Sequence, residues 1–227
     1  MPLAYDPEQA MKHVAKRDAV VRRLIKAVGP IEIPARPGSF KALSRAIFFQ
    51  QLAGPAARAI MGRVLAVMKT DEEKWYPPKR FLKASDDELR AAGLSRQKMV
   101  YLRDLADKFG SGYLSEDEFD HLDDDAVIAR VSEVKGIGRW TGEMFLMFTL
   151  GRPDVLPVDD LGVRKGMQIA YGLGDMPKPD QMLEIGELWR PYRSVGTWYM
   201  WRALGVDVPE QGRGYKKPVD ESEFEIK

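Results

Sequence analysis

The sequence predicts an all-α fold. Apolar residues recur at intervals of about three and four along most of the 227-residue chain, the spacing that gives a helix one buried face. No segment shows the sustained alternation of apolar and polar residues that is typical of a half-buried β-strand. Glycine and proline clusters separate the periodic segments, and such clusters end helices. The composition, 44% hydrophobic and 30% charged, is typical of a globular protein.

The first predicted helix covers residues 7–28 and has an apolar stripe opposite a basic face. A solvated surface is the ordinary role of such a face, and DNA contact is the alternative. Residues 29–38 are rich in proline and glycine and form a linker. Helical spacing resumes over residues 40–52, and another helix follows Gly54 and Pro55, so two helices meet at Gln50, Gln51 and Leu52.

Capping residues and glycines mark the helices that follow. Ser85 and Glu88 have the spacing of a capping box, and Ser95 begins a helix that ends at Gly110. Apolar residues at helical spacing predict the remaining helices, over residues 123–132, 141–150, 159–171, 182–189 and 194–204. The polar tail, residues 206–227, is rich in glycine, proline and charge and is predicted to fray.

Charge and cysteine content narrow the functional classes. The formal net charge of +1 provides no global attraction to a polyanion, so nucleic-acid binding needs local basic groups and oriented amides. The chain has no cysteine, which excludes disulfides, thiol nucleophiles and cysteine-ligated iron-sulfur clusters. Only two histidines are present, so a histidine metal site is not expected. With neither a signal peptide nor a long apolar segment, we expect a soluble, intracellular protein without membrane contact.

Two glycines lie between the helices predicted over residues 123–132 and 141–150. Gly136 and Gly138 allow a tight turn whose amides, with the dipole of the following helix, suit a phosphate. A ligand-free interhelical turn is the alternative. A dinucleotide fingerprint is a disfavoured alternative, because the spacing from Gly138 to Gly142 is one residue too long and no β-branched strand precedes it.

A carboxylate follows this turn. Asp159 comes after Pro157 and Val158, at the start of a predicted helix, and Asp160 follows it. A capping role for Asp159 at that helix is the structural alternative to catalysis.

The combined pattern resembles a known family. The run Val134-Lys-Gly-Ile-Gly-Arg-Trp-Thr-Gly, followed by Leu156-Pro-Val-Asp-Asp-Leu, resembles the helix-hairpin-helix (HhH-GPD) DNA glycosylase superfamily, and within it the 3-methyladenine DNA glycosylase II group. Phe48-Phe-Gln-Gln-Leu, Gly93-Leu-Ser-Arg-Gln-Lys and Trp189-Arg-Pro-Tyr-Arg-Ser are further similarities, and together they cover residues 40–205.

The resemblance implies two helical lobes with a central cleft. Residues 1–205 would be a single glycosylase unit, with lobe one at about 40–130 and lobe two at about 1–38 plus 131–205. The extra N-terminal β domain of some relatives has no counterpart here, so the compact form of the family is expected.

The resemblance also implies a role for each motif residue. Asp159 supports cleavage of the glycosidic bond, with Asp160 as the rival. The base pocket is formed by Trp140, Trp201, Met144 and Tyr199. Core packing is the alternative for the tryptophans, above all for Trp75, Trp189 and Trp198.

The resemblance also implies which residues contact DNA. Leu52, with Gln50 and Gln51 beside it, would fill the gap left by a flipped base, and an ordinary buried leucine is the alternative. The residues that grip the DNA backbone are Lys135, Gly136, Gly138, Arg139 and Trp140. Relatives often hold a structural Na⁺ or K⁺ on hairpin carbonyls, which here belong to Ser132, Val134 and Ile137.

The implied function is monofunctional base-excision repair. Relatives that also cut DNA have a Schiff-base lysine where this chain has Trp140, so water is expected to release the base and leave an abasic site. Alkylated purines are the expected substrates, with deaminated and etheno purines as further candidates. No dissociable cofactor is expected, and the partner is damaged duplex DNA bound by a monomer. A glycosylase for another lesion and a non-catalytic DNA-binding protein are the alternatives.

Overall fold

The computed structural model describes residues 3–33 and 38–205. Within these residues the chain forms twelve α-helices and no β-strand, which confirms the all-α prediction. The predicted polar tail and four residues of the predicted linker, 34–37, lie outside the described residues. The helices are α1 (Pro7–Arg17), α2 (Ala19–Val28), α3 (Ser39–Phe49), α4 (Gly54–Val67), α5 (Pro78–Lys83), α6 (Asp86–Ala91), α7 (Arg96–Gly110), α8 (Asp124–Ser132), α9 (Arg139–Phe145), α10 (Leu161–Tyr171), α11 (Pro179–Glu187) and α12 (Arg193–Ala203).

The described residues divide into two compact units. The first unit comprises residues 3–33 and 146–205, with α1, α2 and α10 to α12. The second unit comprises residues 38–145, with α3 to α9. The sequence predicts a change of lobe near residue 131, whereas the division follows Phe145. The difference arises because the glycine hairpin packs on α7, where Asp104 accepts the Lys135 amide at 2.9 Å.

Residues 7–28 form two helices instead of the single predicted one. Asp18 interrupts them with extended backbone, φ −128° and ψ 112°, and its Oδ1 accepts the Val20 amide at 2.8 Å to cap α2. Asp18 is almost fully buried, and its Oδ2 accepts the indole N–H of Trp189 at 2.7 Å and the hydroxyl of Tyr171. These partners are distant in sequence, so local periodicity does not reveal the break.

A close approach of α10 and α12 forms the centre of the first unit. A Cβ on Gly166 would lie 2.0 Å from the Met200 carbonyl oxygen, so only glycine fits at this contact. Met167 and Val163 on α10 are fully buried beside it. This contact brings the end of α12 beside the start of α10.

Helix α7 is central to the second unit and packs against α3, α5 and α6. The predicted capping box is confirmed, since Glu88 accepts the Ser85 amide at 2.9 Å and Ser85 Oγ accepts the Glu88 amide at 3.2 Å. Ser95 caps α7 as predicted. The sequence missed α5 and a short 3₁₀ turn at Asp117–Asp120. Downstream of α9 the chain continues as a π-helical turn, Leu146–Leu150.

Two features are absent from the described residues. None of their helices has the length and apolar content needed to cross a bilayer. In the same residues, no group of three or more acidic, histidine or cysteine side chains is arranged to hold a metal ion.

Candidate nucleic-acid interface and active site

The hairpin between α8 and α9 depends on one glycine more than on the other. Gly136 has φ +81°, and a Cβ there would lie 2.2 Å from Cδ2 of Tyr101. A side chain at position 136 would therefore be both strained and blocked by the aromatic ring. Gly138 has no positive φ, and a Cβ on it would meet no atom within 4 Å. The fold therefore does not require glycine at position 138 for lack of space.

Hydrogen bonds within the protein hold the hairpin backbone. Besides the Lys135 amide bonded to Asp104, the Ile137 amide donates to the Val134 carbonyl at 3.0 Å. The Gly138 carbonyl accepts the Gly142 amide at 3.1 Å, the first bond of α9. First-turn amides of a helix have no acceptor inside the helix, and here they follow the exposed glycine turn. The hairpin is thus preorganised before any ligand binds.

Charge at the hairpin is partly compensated inside the protein. Arg139 Nε lies 3.2 Å from Oε1 of Glu143, whose side chain is 7% exposed. The guanidinium nitrogen Nη2 of Arg139 lies 3.6 Å from Oδ1 of Asp125. Lys135 has an exposed side chain, while its backbone is fixed. The two predicted backbone-binding cations therefore differ, because Arg139 already has a buried counter-ion.

Trp140 is the large exposed aromatic residue of this region. It is 44% exposed in the first turn of α9, so a face or edge of its ring is accessible. Met144, one turn later and predicted to share a pocket with it, is buried at 4% exposure. Single exposed apolar side chains are common on protein surfaces, so Trp140 is a candidate because of its place directly after the glycine turn and not because of its exposure alone.

The turn between α3 and α4 carries the predicted wedge. Leu52 is 39% exposed, so the alternative of an ordinary buried leucine is wrong. Gln51 has φ +55°, an unusual conformation for a residue with a side chain. Gln50 Nε2 donates to the Gly136 carbonyl at 2.8 Å, which connects this turn to the hairpin within the second unit.

The two adjacent aspartates of the first unit have different environments. Asp159 is exposed, whereas Asp160 is 8% exposed and is the N-cap of α10, with Oδ1 accepting the Val163 amide at 2.7 Å. The same oxygen accepts the indole N–H of Trp201 at 2.9 Å. The alternative in which Asp159 caps this helix is wrong, because the helix begins one residue later.

Glycines on α10 explain how Trp201 reaches this carboxylate. A Cβ on Gly162 would lie 2.9 Å from Cδ1 of Trp201 and 3.0 Å from Oδ1 of Asp160. Gly166, one turn later, admits the backbone of α12. Trp201 is 2% exposed, and its ring centroid lies 5.9 Å from that of Phe148. The buried indole therefore donates a hydrogen bond to Asp160 while its ring packs beside that of Phe148.

Tyr199 lies in the core of the first unit and not in a pocket. Its hydroxyl donates to the Gly29 carbonyl at 2.8 Å and lies 3.2 Å from Sδ of Met11, because it projects from a face of α12 that packs on α1 and α2. This placement corrects the predicted pocket role. The core alternative is confirmed for Trp75, Trp189 and Trp198, which are at most 7% exposed.

Several residues of the site were missed by sequence reasoning. Gly162 and Gly166 stand four residues apart on α10, and this pair of small residues was the available signal. Lys98 belongs to a motif that resembles the family, but the resemblance gave it no role. Its ammonium donates to the Phe48 carbonyl at 2.7 Å, and partial burial lowers the pKa of Lys98 below its ordinary value.

Comparison with known proteins gives consistent matches. A family model described as "HhH-GPD superfamily base excision DNA repair protein" matches residues 44–191. DNA-3-methyladenine glycosylase 1 of Schizosaccharomyces pombe is 33% identical over 212 residues, which cover 91% of this chain and 89% of that protein.

Solved structures agree with this match. A DNA-3-methyladenine glycosidase from Bacillus halodurans superposes with a TM-score of 0.78 at 35% identity, covering 86% of this chain and 88% of that one. The Schizosaccharomyces pombe 3-methyladenine DNA glycosylase in complex with abasic DNA has a TM-score of 0.74 at 32% identity, covering 87% of this chain and 97% of that one.

Proposed function

Because the chain belongs to the HhH-GPD superfamily of base excision DNA repair proteins, we propose that it is a monofunctional DNA glycosylase that releases alkylated purines. Relatives over most of its length are named for 3-methyladenine. The observation that carries the proposal is a buried, preorganised carboxylate, Asp160, at the start of α10.

We assign the catalytic role to Asp160 and not to Asp159. Breaking the glycosidic bond leaves positive charge on the sugar ring, and a fixed carboxylate stabilises that charge best where water is excluded. Two N–H donors, from Val163 and Trp201, hold Asp160 in one orientation, whereas Asp159 is exposed. Exposed carboxylates reorient and are screened by solvent.

An alkylated purine is a good leaving group without an acid. Methylation at N3 or N7 places a positive charge on the base, and the electron pair of the breaking bond neutralises it. The accessible π face of Trp140 suits such a cationic ring. Deaminated and etheno purines lack this charge, so we propose them as poorer substrates.

Water completes the reaction in this scheme. Its oxygen bonds to the sugar C1′ and its proton passes to Asp160 or to solvent, which leaves an abasic site with both phosphodiester bonds intact. Strand cleavage by β-elimination would need an amine to form a Schiff base. Position 140 is a tryptophan and provides no amine. The Lys165 ammonium donates a hydrogen bond to Gln168 Oε1 at 2.8 Å, so we do not assign it the role of the Schiff-base amine.

DNA binding is proposed to use the second unit. The hairpin amides, with Lys135 and Arg139, bind the phosphate backbone without reading sequence. Leu52 and Gln51 enter the space left by the flipped base. We propose that a monovalent cation binds the carbonyls of Ser132, Val134 and Ile137, since Ser132 ends α8 and the carbonyls at a helix C-terminus carry partial negative charge. We propose that a monomer performs these steps on damaged duplex DNA without a dissociable cofactor.

The test is base release from duplex DNA containing 7-methylguanine, followed by hot alkali to cut abasic sites. Wild type is expected to give strand breaks only after alkali. Asp160→Asn is expected to slow release by at least about a hundredfold. It retains a good N-cap, so α10 should remain folded. Asp159→Asn is the matched control and should act close to wild type.

Other outcomes identify the alternatives. Loss of activity in Asp159→Asn alone would return the catalytic role to that residue. DNA binding without release of any methylated base by wild type would favour a glycosylase for another lesion or a non-catalytic binding protein. Strand breaks before alkali treatment would contradict the monofunctional assignment.

A further inference from the structure

The turn between α3 and α4 has a conformation that its own residues do not favour. Gln51 is in the left-handed region at φ +55°, where a side chain is disfavoured. Leu52, the next residue, is 39% exposed and so is only partly stabilised by burial. A strained residue persists only where its surroundings determine the backbone. The support for this turn must therefore come from elsewhere in the second unit.

Two long-range hydrogen bonds supply that support. They involve Phe48 and Gln50, the two neighbours of Phe49, at which α3 ends. Lys98 Nζ donates to the Phe48 carbonyl at 2.7 Å, and Gln50 Nε2 donates to the Gly136 carbonyl at 2.8 Å. Phe48 is in the last turn of α3, where carbonyls have no amide partner inside the helix and attract a cation. The turn is therefore attached to both α7 and the hairpin.

Helix α7 supports the hairpin end of this arrangement too. Tyr101 follows Lys98 by three residues and so shares its face of the helix. Its ring occupies the space next to Gly136, where a Cβ would lie 2.2 Å from Cδ2. Gln97 Nε2 donates to the Tyr101 hydroxyl at 2.6 Å, which fixes the ring. Helix α7 therefore contacts the end of α3 directly through Lys98. It also supports the hairpin, whose Gly136 carbonyl accepts the hydrogen bond from Gln50.

We propose that Lys98 and Gln50 are positioning residues that fix the α3–α4 turn for insertion into the duplex. The inference rests on the glycosylase function proposed above. Because the turn is already ordered, DNA binding does not have to supply the free energy of ordering it. Phosphate binding at the hairpin and insertion of Leu52 then occur on one preformed surface of the second unit.

The test compares two duplexes that differ in the cost of base flipping. One has 7-methylguanine opposite cytosine, and the other has it opposite thymine, where weaker pairing lowers the cost of extrusion. Lys98→Met and Gln50→Ala are each expected to slow single-turnover base release about tenfold on the matched duplex. Most of this loss should disappear on the mismatched duplex. Lys98→Arg keeps a cationic donor and should recover part of the matched-duplex rate.

Controls separate positioning from charge and chemistry. Lys83→Met removes the same charge from an exposed residue at the end of α5 and should leave both rates unchanged. Asp160→Asn should be slow on both duplexes. Equal losses on both duplexes, or no loss on either, would overturn the inference. Gln50→Ala keeps the test decisive if Lys98→Met does not fold.

A second measurement does not depend on catalysis. If wild type releases no base, the proposed function fails, and the turn is then tested with duplex carrying an abasic analogue beside 2-aminopurine. Insertion of the turn unstacks the 2-aminopurine and raises its fluorescence. Both variants should give a smaller rise than wild type at saturating protein. An unchanged rise in both variants would overturn the role of Lys98 and Gln50.

Discussion

At the scale of single residues, Asp18 combines local and long-range roles. Its Oδ1 accepts the amides of Val20 and Val21, and its Oδ2 accepts the Trp189 indole and the Tyr171 hydroxyl. Burial, together with the nearby Asp18 charge, raises the pKa of Tyr171, so the hydroxyl remains a donor. One carboxylate therefore connects α2 to α10 and to the residues that follow α11.

Replacing this carboxylate by its amide tests the connection. In Asp18→Asn the side-chain NH₂ would face the Trp189 and Tyr171 donors, and unfolding free energy should fall by about 2–4 kcal/mol, since buried donors lose their acceptor. Asp6→Asn is the matched control, because Asp6 is an exposed N-cap and asparagine caps as well as aspartate. Urea unfolding measures both. A similar, small effect for both variants would contradict the long-range role.

The sequence could identify the region that contains the proposed catalytic residue but not the residue itself. Asp159 and Asp160 both precede an apolar helical pattern, and either could cap it. The choice depends on where the helix begins and on the Trp201 indole, which comes from a helix about forty residues later. Trp140 is different, because its exposure follows from its place directly after the glycine turn. The exposed location of Trp140 could therefore be predicted from the sequence.

At the scale of helices, predictions succeeded where the signal was local. The capping box at Ser85 and the start of α7 at Ser95 need only neighbouring residues, and both are correct. The break at Asp18 was missed because the local cap of α2 is accompanied by two donors that are distant in sequence, on Tyr171 and Trp189. The start of α10 lies two residues later than predicted for a similar reason, because Asp160 is the N-cap and is fixed by a partner on α12, whereas the predicted end at Tyr171 is correct.

The contact between α10 and α12 gives a prediction for the pair of helices. In Gly166→Ala the new Cβ would meet the Met200 carbonyl at 2.0 Å, so the helices must separate, and unfolding free energy should fall by about 1–3 kcal/mol. The movement would also weaken the Trp201 bond to Asp160 and slow base release. Thermal unfolding and single-turnover kinetics measure the two effects.

The control for this variant is another helical glycine. Gly62 in α4 is exposed, and a Cβ on it would meet no atom within 4 Å. Gly62→Ala should therefore raise stability by about 0.5–1 kcal/mol, because alanine favours the helix. Tolerance of Gly166→Ala would show that the close approach of α10 and α12 does not limit stability, and destabilisation by Gly62→Ala would show that alanine is unfavourable in helices of this chain for another reason.

At the scale of the whole molecule, charge balance limits how DNA is bound. The chain carries 35 basic and 34 acidic residues, so we expect DNA binding to depend on a few local basic groups and not on a broad cationic surface. With few phosphates neutralised, a plot of log affinity for abasic-analogue duplex against log salt concentration should have a slope of about −2 to −4. Fluorescence anisotropy over a range of KCl concentrations provides this slope. A value near about −8 would indicate an extensive basic surface instead.

Two hairpin cations, Lys135 and Arg139, are expected to contribute differently to this salt dependence. Lys135 is exposed, whereas Arg139 already pairs with the buried Glu143 and must leave that carboxylate to bind a phosphate. Lys135→Gln should therefore reduce the slope by about 1. Arg139→Gln should change it less, since the charge that it removes is already balanced within the protein. If Arg139→Gln had the larger effect, phosphate binding would have to displace the Glu143 pair, and the hairpin would rearrange when it meets DNA.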